Sequence, residues 1–226
     1  MKTKFLQLFS VPVCAIKLDN NDNVFELFST LTENIFNSTN IEKFKNYAKD
    51  DVVTTEDTAW QIKIKTKQTD PDFFWDNEWW SLNSNCYSLL TGILDLCQDY
   101  YISDCINAYG DTPDYHGFFI KDFWIVKLKE HENNLIHSHP QSTFSGVYYQ
   151  TIPECIKNSK DSKGNIFFLN NSLLTNFEFS FGSGQTFSIK PEEGMMLIFP
   201  SWLSHYVTSF VGQGERISYS FNIIRQ

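Results

Sequence analysis

The sequence has no surplus of basic residues. Eighteen lysines and arginines stand against 27 acids, a formal net charge of −9 over 226 residues. Binding to duplex nucleic acid draws on a basic surface that displaces counterions. This balance therefore argues against nucleic acid as a partner, while leaving room for a small anion held by one buried arginine. No apolar run approaches the roughly 18 residues of a membrane span, so no membrane partner is expected. The opening Met1-Lys2-Thr3-Lys4-Phe5-Leu6 lacks a signal-peptide apolar core, because Gln7 and Ser10 interrupt it. There is no C-x-x-C pair, and the cysteines number five, an odd count. Together these absences predict reduced thiols and a cytoplasmic setting. Neither an internal repeat nor a low-complexity tract is present.

What the chain does have is core-forming material. It is 42% hydrophobic, with 21 Phe, 10 Tyr and 6 Trp, enough for one large domain. The run from Phe5 to Leu18 is apolar and β-rich but carries Pro12, which removes a ladder donor and predicts an edge strand or two short extended pieces. After the polar cluster Asn20-Asn21-Asp22-Asn23, the residues Val24, Leu27, Phe28, Leu31 and Ile35 recur at helical spacing, predicting a helix over 23–36. Trp60, Ile62 and Ile64 alternate as on a strand. Phe73, Phe74, Trp75, Trp79 and Trp80 form an aromatic patch, read as a satellite core under a loop or as the wall of a substrate cleft. The clearest helix is predicted over 82–106, where Cys86, Leu89, Leu90, Ile93, Leu94, Cys97, Tyr101 and Cys105 make one face. Its cysteines are read as small core residues.

The texture changes at Gly117. Strands are expected at Phe123–Leu128, Ile136–His139, Phe144–Gln150, Asn165–Leu169, Gln185–Ile189, Met195–Phe199, His205–Phe210 and Arg216–Ile224. Turn signals such as Ser162-Lys163-Gly164 and Gly212-Gln213-Gly214 separate them. Many short strands at this spacing predict a barrel or jelly roll. The whole chain, 1–226, is read as a single mainly β domain with flanking helices. A mixed N-terminal support covers about 1–115 and a β core covers about 116–226.

The chemistry concentrates in that core. His137 and His139 are two apart on an expected strand, and side chains at i and i+2 share a face. His205 lies on a distant strand. Imidazole is the commonest transition-metal ligand, suited to iron, zinc and copper. Three histidines on opposed strands would hold one face of an ion and leave the other open, as a catalytic site requires. Arg216 begins a strand whose alternation puts Arg216, Ser218, Ser220 and Asn222 on one face. An arginine buried in a barrel needs an anion, and its fork suits a carboxylate, with Ser218 as a neighbouring donor. A protein acid such as Glu193 is the alternative partner. Glu132 is an alternative metal ligand. His116 and His131 are read as loop histidines, Trp202 as a packing residue, Gly146 as a point of close approach and Gly194 as a turn.

These pieces occur in a recognisable order. His137-Ser138-His139-Pro140, Ser145-Gly146-Val147-Tyr148-Tyr149, Phe199-Pro200-Ser201-Trp202-Leu203-Ser204-His205 and Arg216-Ile217-Ser218, ending at Phe221-Asn222, resemble the 2-oxoglutarate/Fe(II)-dependent oxygenase superfamily over about residues 130–224. The Leu6–Leu18 opening resembles the same group. The resemblance implies a double-stranded β-helix of the jelly-roll or cupin-like kind, binding Fe(II) with 2-oxoglutarate as co-substrate. It implies His137 and His205 as metal ligands, with His139 where most of the superfamily has Asp or Glu. It also implies that Arg216, Ser218 and Tyr149 hold the distal carboxylate of 2-oxoglutarate. Whether Tyr148 or Tyr149 faces inward depends on register. The implied activity is a dioxygenase (hydroxylase) reaction in which decarboxylation of 2-oxoglutarate is coupled to hydroxylation of a substrate C–H, with O2 and a small molecule or peptide as partners. No protein acid or base is assigned to the C–H step. A homodimer is compatible with the sequence. The competing readings are a cupin-like three-histidine metalloprotein that does not use 2-oxoglutarate, and a non-catalytic metal-binding or structural module. Arg216 and Ser218 discriminate, since their pairing has a role only where a dicarboxylate binds.

Overall fold

The structure, a computed structural model, describes residues 11–18, 23–36, 60–64, 86–109, 117–170 and 186–225. The aromatic patch at 73–80 and His116 lie outside them. In chain order the elements are β1 (Cys14–Lys17), α1 (Asn23–Phe36), β2 (Trp60–Ile64), α2 (Cys86–Tyr109), β3 (Phe118–Leu128), β4 (Asn134–His137), β5 (Phe144–Thr151), a one-turn helix α3 (Glu154–Lys157), β6 (Ile166–Leu169), β7 (Thr186–Ile189), β8 (Met195–Pro200), β9 (His205–Val207) and β10 (Arg216–Arg225). Every strand expected after Gly117 is present. The first begins at Phe118 rather than Phe123, and the second covers Asn134–His137 rather than Ile136–His139.

The strands form two antiparallel sheets. One has six strands in the order β1-β8-β5-β10-β3-β2; the other has four, β4-β9-β6-β7. The N-terminal half thus supplies the two edges of the larger sheet, β1 against β8 and β2 against β3. Pro12 precedes β1, so its missing donor costs the ladder nothing.

Two cores follow from the alternation of β3, β5, β8 and β10. On the outer face of the large sheet, Phe123, Ile125, Tyr148, Ile198, Tyr219 and Phe221 are buried together with Phe28 of α1 and with Ile93 and Cys97 of α2. Phe28 stacks on Tyr148 at 3.8 Å between ring centroids, and Thr32 shares a 2.7 Å hydrogen bond with the Tyr219 hydroxyl. Burial pushes the Cys97 thiol up, as befits a small core residue. On the inner face, Trp124, Val126, Val147, Tyr149, Leu197 and Phe199 meet Ile166, Phe168 and Val207 of the small sheet. This second core closes the two sheets on one another. Within the large sheet, Gly146 makes room on the outer face of β5: a Cβ there would lie 2.1 Å from the ring of its partner Phe221 on β10, so only glycine permits this approach. Gly194, at φ +76°, turns the chain into β8. Among the described residues no helix is long and apolar enough to cross a membrane.

Candidate metal centre and anion site

The two sheets enclose a cavity of about 350 Å³. His137 ends β4, His205 opens β9, and the two are directly paired across the ladder. His139 lies past the end of β4, so the two-residue spacing on a strand is not what aims it inward. Its backbone N–H instead bonds the Ser201 carbonyl at 2.9 Å, tying the loop to the end of β8. The three rings converge nonetheless. Their centroids are 4.4 to 5.2 Å apart, and one ligand atom from each lies within 4.8 Å of the others. This is the one such cluster among the described residues.

The tautomers suit metal binding. His137 Nδ1 donates to the Leu135 carbonyl at 2.6 Å, and His205 Nδ1 donates to the Leu203 carbonyl at 2.9 Å. A carbonyl can only accept, so each Nδ1 carries the proton and each Nε2 keeps a free lone pair. Burial, reinforced by the neighbouring His137, holds His205 down at about 4, against a smaller upward pull from the Leu203 carbonyl. It is therefore neutral and able to ligate throughout the physiological range. Glu132 is not in the cluster; its carboxylate caps the backbone N–H of Lys129 at 2.7 Å. His131 sits in an exposed turn at φ +69°.

The anion clamp is built on β10. Arg216 is 1% exposed and lines the cavity along with Ser218, Ser220 and Asn222. Its guanidinium donates to Ser218 Oγ at 3.4 Å and lies 4.9 Å over the Tyr149 ring. No acid pairs with it among the described residues. Glu193, the alternative partner, accepts from the Ile152 N–H at 3.0 Å and pairs with Lys157 at 3.0 Å. Burial pushes the Arg216 pKa down, and Tyr149 opposes that only in part. Tyr149 rises to about 12 by burial, so it is a protonated donor at neutral pH. Arg216 and the Tyr149 hydroxyl attract one another, but their geometry falls short of a hydrogen bond. Arg216 Nε and the Tyr149 hydroxyl are left as buried polar atoms without a partner. Buried donors without acceptors are costly, and here they surround a cationic fork beside the histidines. A carboxylate is the group that would satisfy them.

The register answers the tyrosine question. Tyr149 pairs with Ser218, and Tyr148 with Tyr219. Tyr149 therefore belongs to the inner core, backing Arg216 without lining the cavity, and Tyr148 packs outward on α1. Trp202 is a correction: 55% of it is exposed, because Leu203, not Trp202, turns into the core at that bend. A polar chain missed by the sequence reading lies further along β10. Ser145 Oγ donates to Asn222 Oδ1 at 2.7 Å, and Asn222 Nδ2 donates to Asp122 at 3.0 Å. Asp122 lines the same cavity. The adjacent polar pair Lys121-Asp122 inside the apolar strand β3 was the available signal, since two neighbouring polar residues break strict alternation.

Comparison with known proteins agrees with this geometry. Residues 122–222 match the family model described as "Putative 2OG-Fe(II) oxygenase". The match covers less than half of the chain, but it contains all three histidines, Arg216, Ser218 and Tyr149. It stands with the motif resemblance, and the cofactor set of that family is Fe(II) with 2-oxoglutarate. No curated protein matches. Among solved structures, a Pseudomonas putida prolyl-4-hydroxylase is similar at TM-score 0.54 and 13% identity, over 97% of this chain and 95% of that one. A Trichoplax adhaerens prolyl hydroxylase, solved with a hypoxia inducible factor peptide fragment, is similar at TM-score 0.52 and 14% identity, over 96% and 86%. The chain also matches a Burkholderia pseudomallei oxidoreductase of the 2OG-Fe(II) oxygenase family, at TM-score 0.36 and 14% identity over 48% of this chain. It spans only 44% of that protein's length, and this likeness carries no argument. The first two likenesses give the fold: the paired sheets are a double-stranded β-helix.

Proposed function

We propose that this chain, whose residues 122–222 match the 2-oxoglutarate/Fe(II) oxygenases, is a 2-oxoglutarate- and Fe(II)-dependent dioxygenase that hydroxylates a C–H of its substrate. The observation that carries this reading is Arg216. It is a fully buried cation, with no acid paired to it among the described residues, in the same cavity as three converging histidines. A dicarboxylate anchored at the metal by one end would offset that burial with the other.

In this reading His137, His205 and His139 hold the metal through their ring nitrogens. Bound Fe(II) with 2-oxoglutarate supplies the oxidising power, coupling O2 reduction and loss of CO2 to oxidation of the substrate. The chain's own contribution is placement. The Leu135 and Leu203 carbonyls fix the tautomers and ring planes of His137 and His205. Arg216 and Ser218 take the distal carboxylate, the fork giving two parallel charge-assisted hydrogen bonds. Tyr149 braces the guanidinium from behind, its ring 4.9 Å from the fork. The inner core from Val126 to Phe199 keeps water from the anion end. His139 replaces the carboxylate that most of the superfamily carries, so the protein ligands are all neutral and the metal keeps its full positive charge.

The test is succinate formation from 2-oxoglutarate, measured with and without Fe(II). The reading expects iron-dependent succinate, lost in Arg216→Met. Tight metal binding accompanied by no affinity for 2-oxoglutarate would instead favour the cupin-like alternative.

A further inference from the structure

The cavity has two charged ends, and the proposed function uses one of them. Arg216 pairs with Leu128 at one end of the β3–β10 ladder, and Asn222 pairs with Asp122 toward the other. The six intervening steps span roughly 20 Å at about 3.3 Å per residue. Trp124 pairs with Ser220 between them, and its ring lies 5.5 Å from that of His139. The histidine cluster therefore sits between a cationic end and an acidic one.

Asp122 faces the cavity by alternation with the inward Trp124 and Val126, and β3 is bulged just before it. The register runs Asn222 with Asp122 and then Ile223 with Ile120, leaving Lys121 as an extra residue. Ile120, Phe123 and Ile125 all pack on the helix side, whereas Trp124 and Val126 point inward. Unbroken alternation could not put Ile120 and Phe123 on one face. The bulge shifts the phase at Lys121, returning Ile120 to the helix side while Asp122 keeps the side of Trp124.

The hydrogen bonds then define what Asp122 can accept. Ser145 donates to Asn222 Oδ1, so the amide N–H2 must be the end that meets Asp122. The carboxylate receives that one neutral donor. No basic side chain pairs with it among the described residues, and most of its acceptor capacity faces the cavity.

Resting on the oxygenase reading above, we propose that Asp122 is the specificity-determining residue for the substrate, and that the substrate carries a protonated nitrogen, an amine or guanidinium, near the C–H that is oxidised. Asn222 and Ser145 are positioning residues that hold the carboxylate toward the open side of the histidine cluster. Such an assignment divides the cavity cleanly: the dicarboxylate is drawn to Arg216 and repelled by Asp122, and a cation is sorted the opposite way.

The test is calorimetric titration of the full chain, with Mn(II) and 2-oxoglutarate present and absent. The matched probes are Nα-acetyl-lysine methylamide and Nα-acetyl-norleucine methylamide, which share a stem and differ in the charge. Free lysine and a glycine-flanked lysine pentapeptide distinguish a small-molecule source of the charge from a peptide one. The expected result is a preference for the lysine probe of about tenfold, the worth of one charge-assisted hydrogen bond. Asp122→Asn removes that preference without lowering 2-oxoglutarate affinity, while Asp122→Glu keeps part of it and guards against misfolding of the first variant. Equal affinity for both probes, or a preference that survives Asp122→Asn, would overturn the assignment with the oxygenase reading intact. Failure of the wild-type chain to bind 2-oxoglutarate, with the Asp122-dependent preference present, would overturn the oxygenase reading and leave the cation site standing.

Discussion

The two faces of β10 make opposite use of one strand. Ile217, Tyr219, Phe221 and Ile223 turn outward into a dry aromatic core against α1 and α2. Arg216, Ser218, Ser220 and Asn222 turn inward and line the cavity. The outer face has its needs met within the fold: stacked rings, and a Tyr219 hydroxyl bonded to Thr32. The inner face leaves Arg216 Nε and the Tyr149 hydroxyl without partners. A protein interior normally satisfies its polar groups. A buried cationic fork with an unmet donor on a cavity-lining face marks where an anionic ligand completes the structure, and the outer face supplies the stability that this incompleteness costs.

Substitutions can break that contrast. The largest effect is expected from His205→Ala and His137→Ala, which remove a ligand and should weaken divalent metal binding by at least about 100-fold, a loss greater than that reported for changes outside the ligand set; anaerobic metal titration measures it. Arg216→Met should lower 2-oxoglutarate affinity by about 100-fold, because a charge-assisted pair to a buried carboxylate is worth about 3 kcal/mol, and it should leave the fold no less stable, since an unpaired buried charge is removed. On the outer face, Phe28→Ala should cost about 3–5 kcal/mol of stability in denaturant unfolding with 2-oxoglutarate affinity unaltered. If instead Phe28→Ala and Arg216→Met each disturbed stability and binding alike, the two faces would not be separable. Tyr149→Phe is the smallest binding change, a few-fold at most in 2-oxoglutarate affinity, because Tyr149 acts on the anion only by bracing Arg216.

A pH series sharpens the same contrast. In the metal-free chain His205 titrates at about 4, against an ordinary value of 6.5. Between these the unfolded state binds more protons than the folded one, so stability should fall as pH drops through that window. His205→Gln should flatten this limb in urea melts run across it, and Phe28→Ala should leave its shape intact.

How much of this was legible in the sequence follows from which rule each residue obeys. Helix α1 was read to its residue bounds because Val24, Leu27, Phe28, Leu31 and Ile35 keep one period throughout. The β core was read strand by strand for the same reason, and the order of His137, His205 and Arg216 along it was enough to suggest a shared site. Convergence could not be read: His139 reaches the cluster from a loop through a backbone bond to Ser201, a contact between segments distant in sequence. Nor could the edge strands be placed, since pairing of β1 with β8 and of β2 with β3 is non-local. Trp202 was misjudged at the bend before β9, where alternation fails, and Asp122 was missed beside the bulge in β3. The bend runs into His205 and the bulge adjoins the cavity-lining Asp122, and departures from local regularity are expected near a site.

The central claim is that the inner face of β10 is completed by 2-oxoglutarate beside a metal held by three histidines. Calorimetric titration of 2-oxoglutarate into the anaerobic chain, with and without Fe(II), tests it most directly. The account predicts one equivalent bound, strengthened by the metal, weakened about 100-fold by Arg216→Met and losing its metal dependence in His205→Ala. Binding that ignores both Arg216 and the metal, or metal binding with no 2-oxoglutarate binding at all, would contradict it.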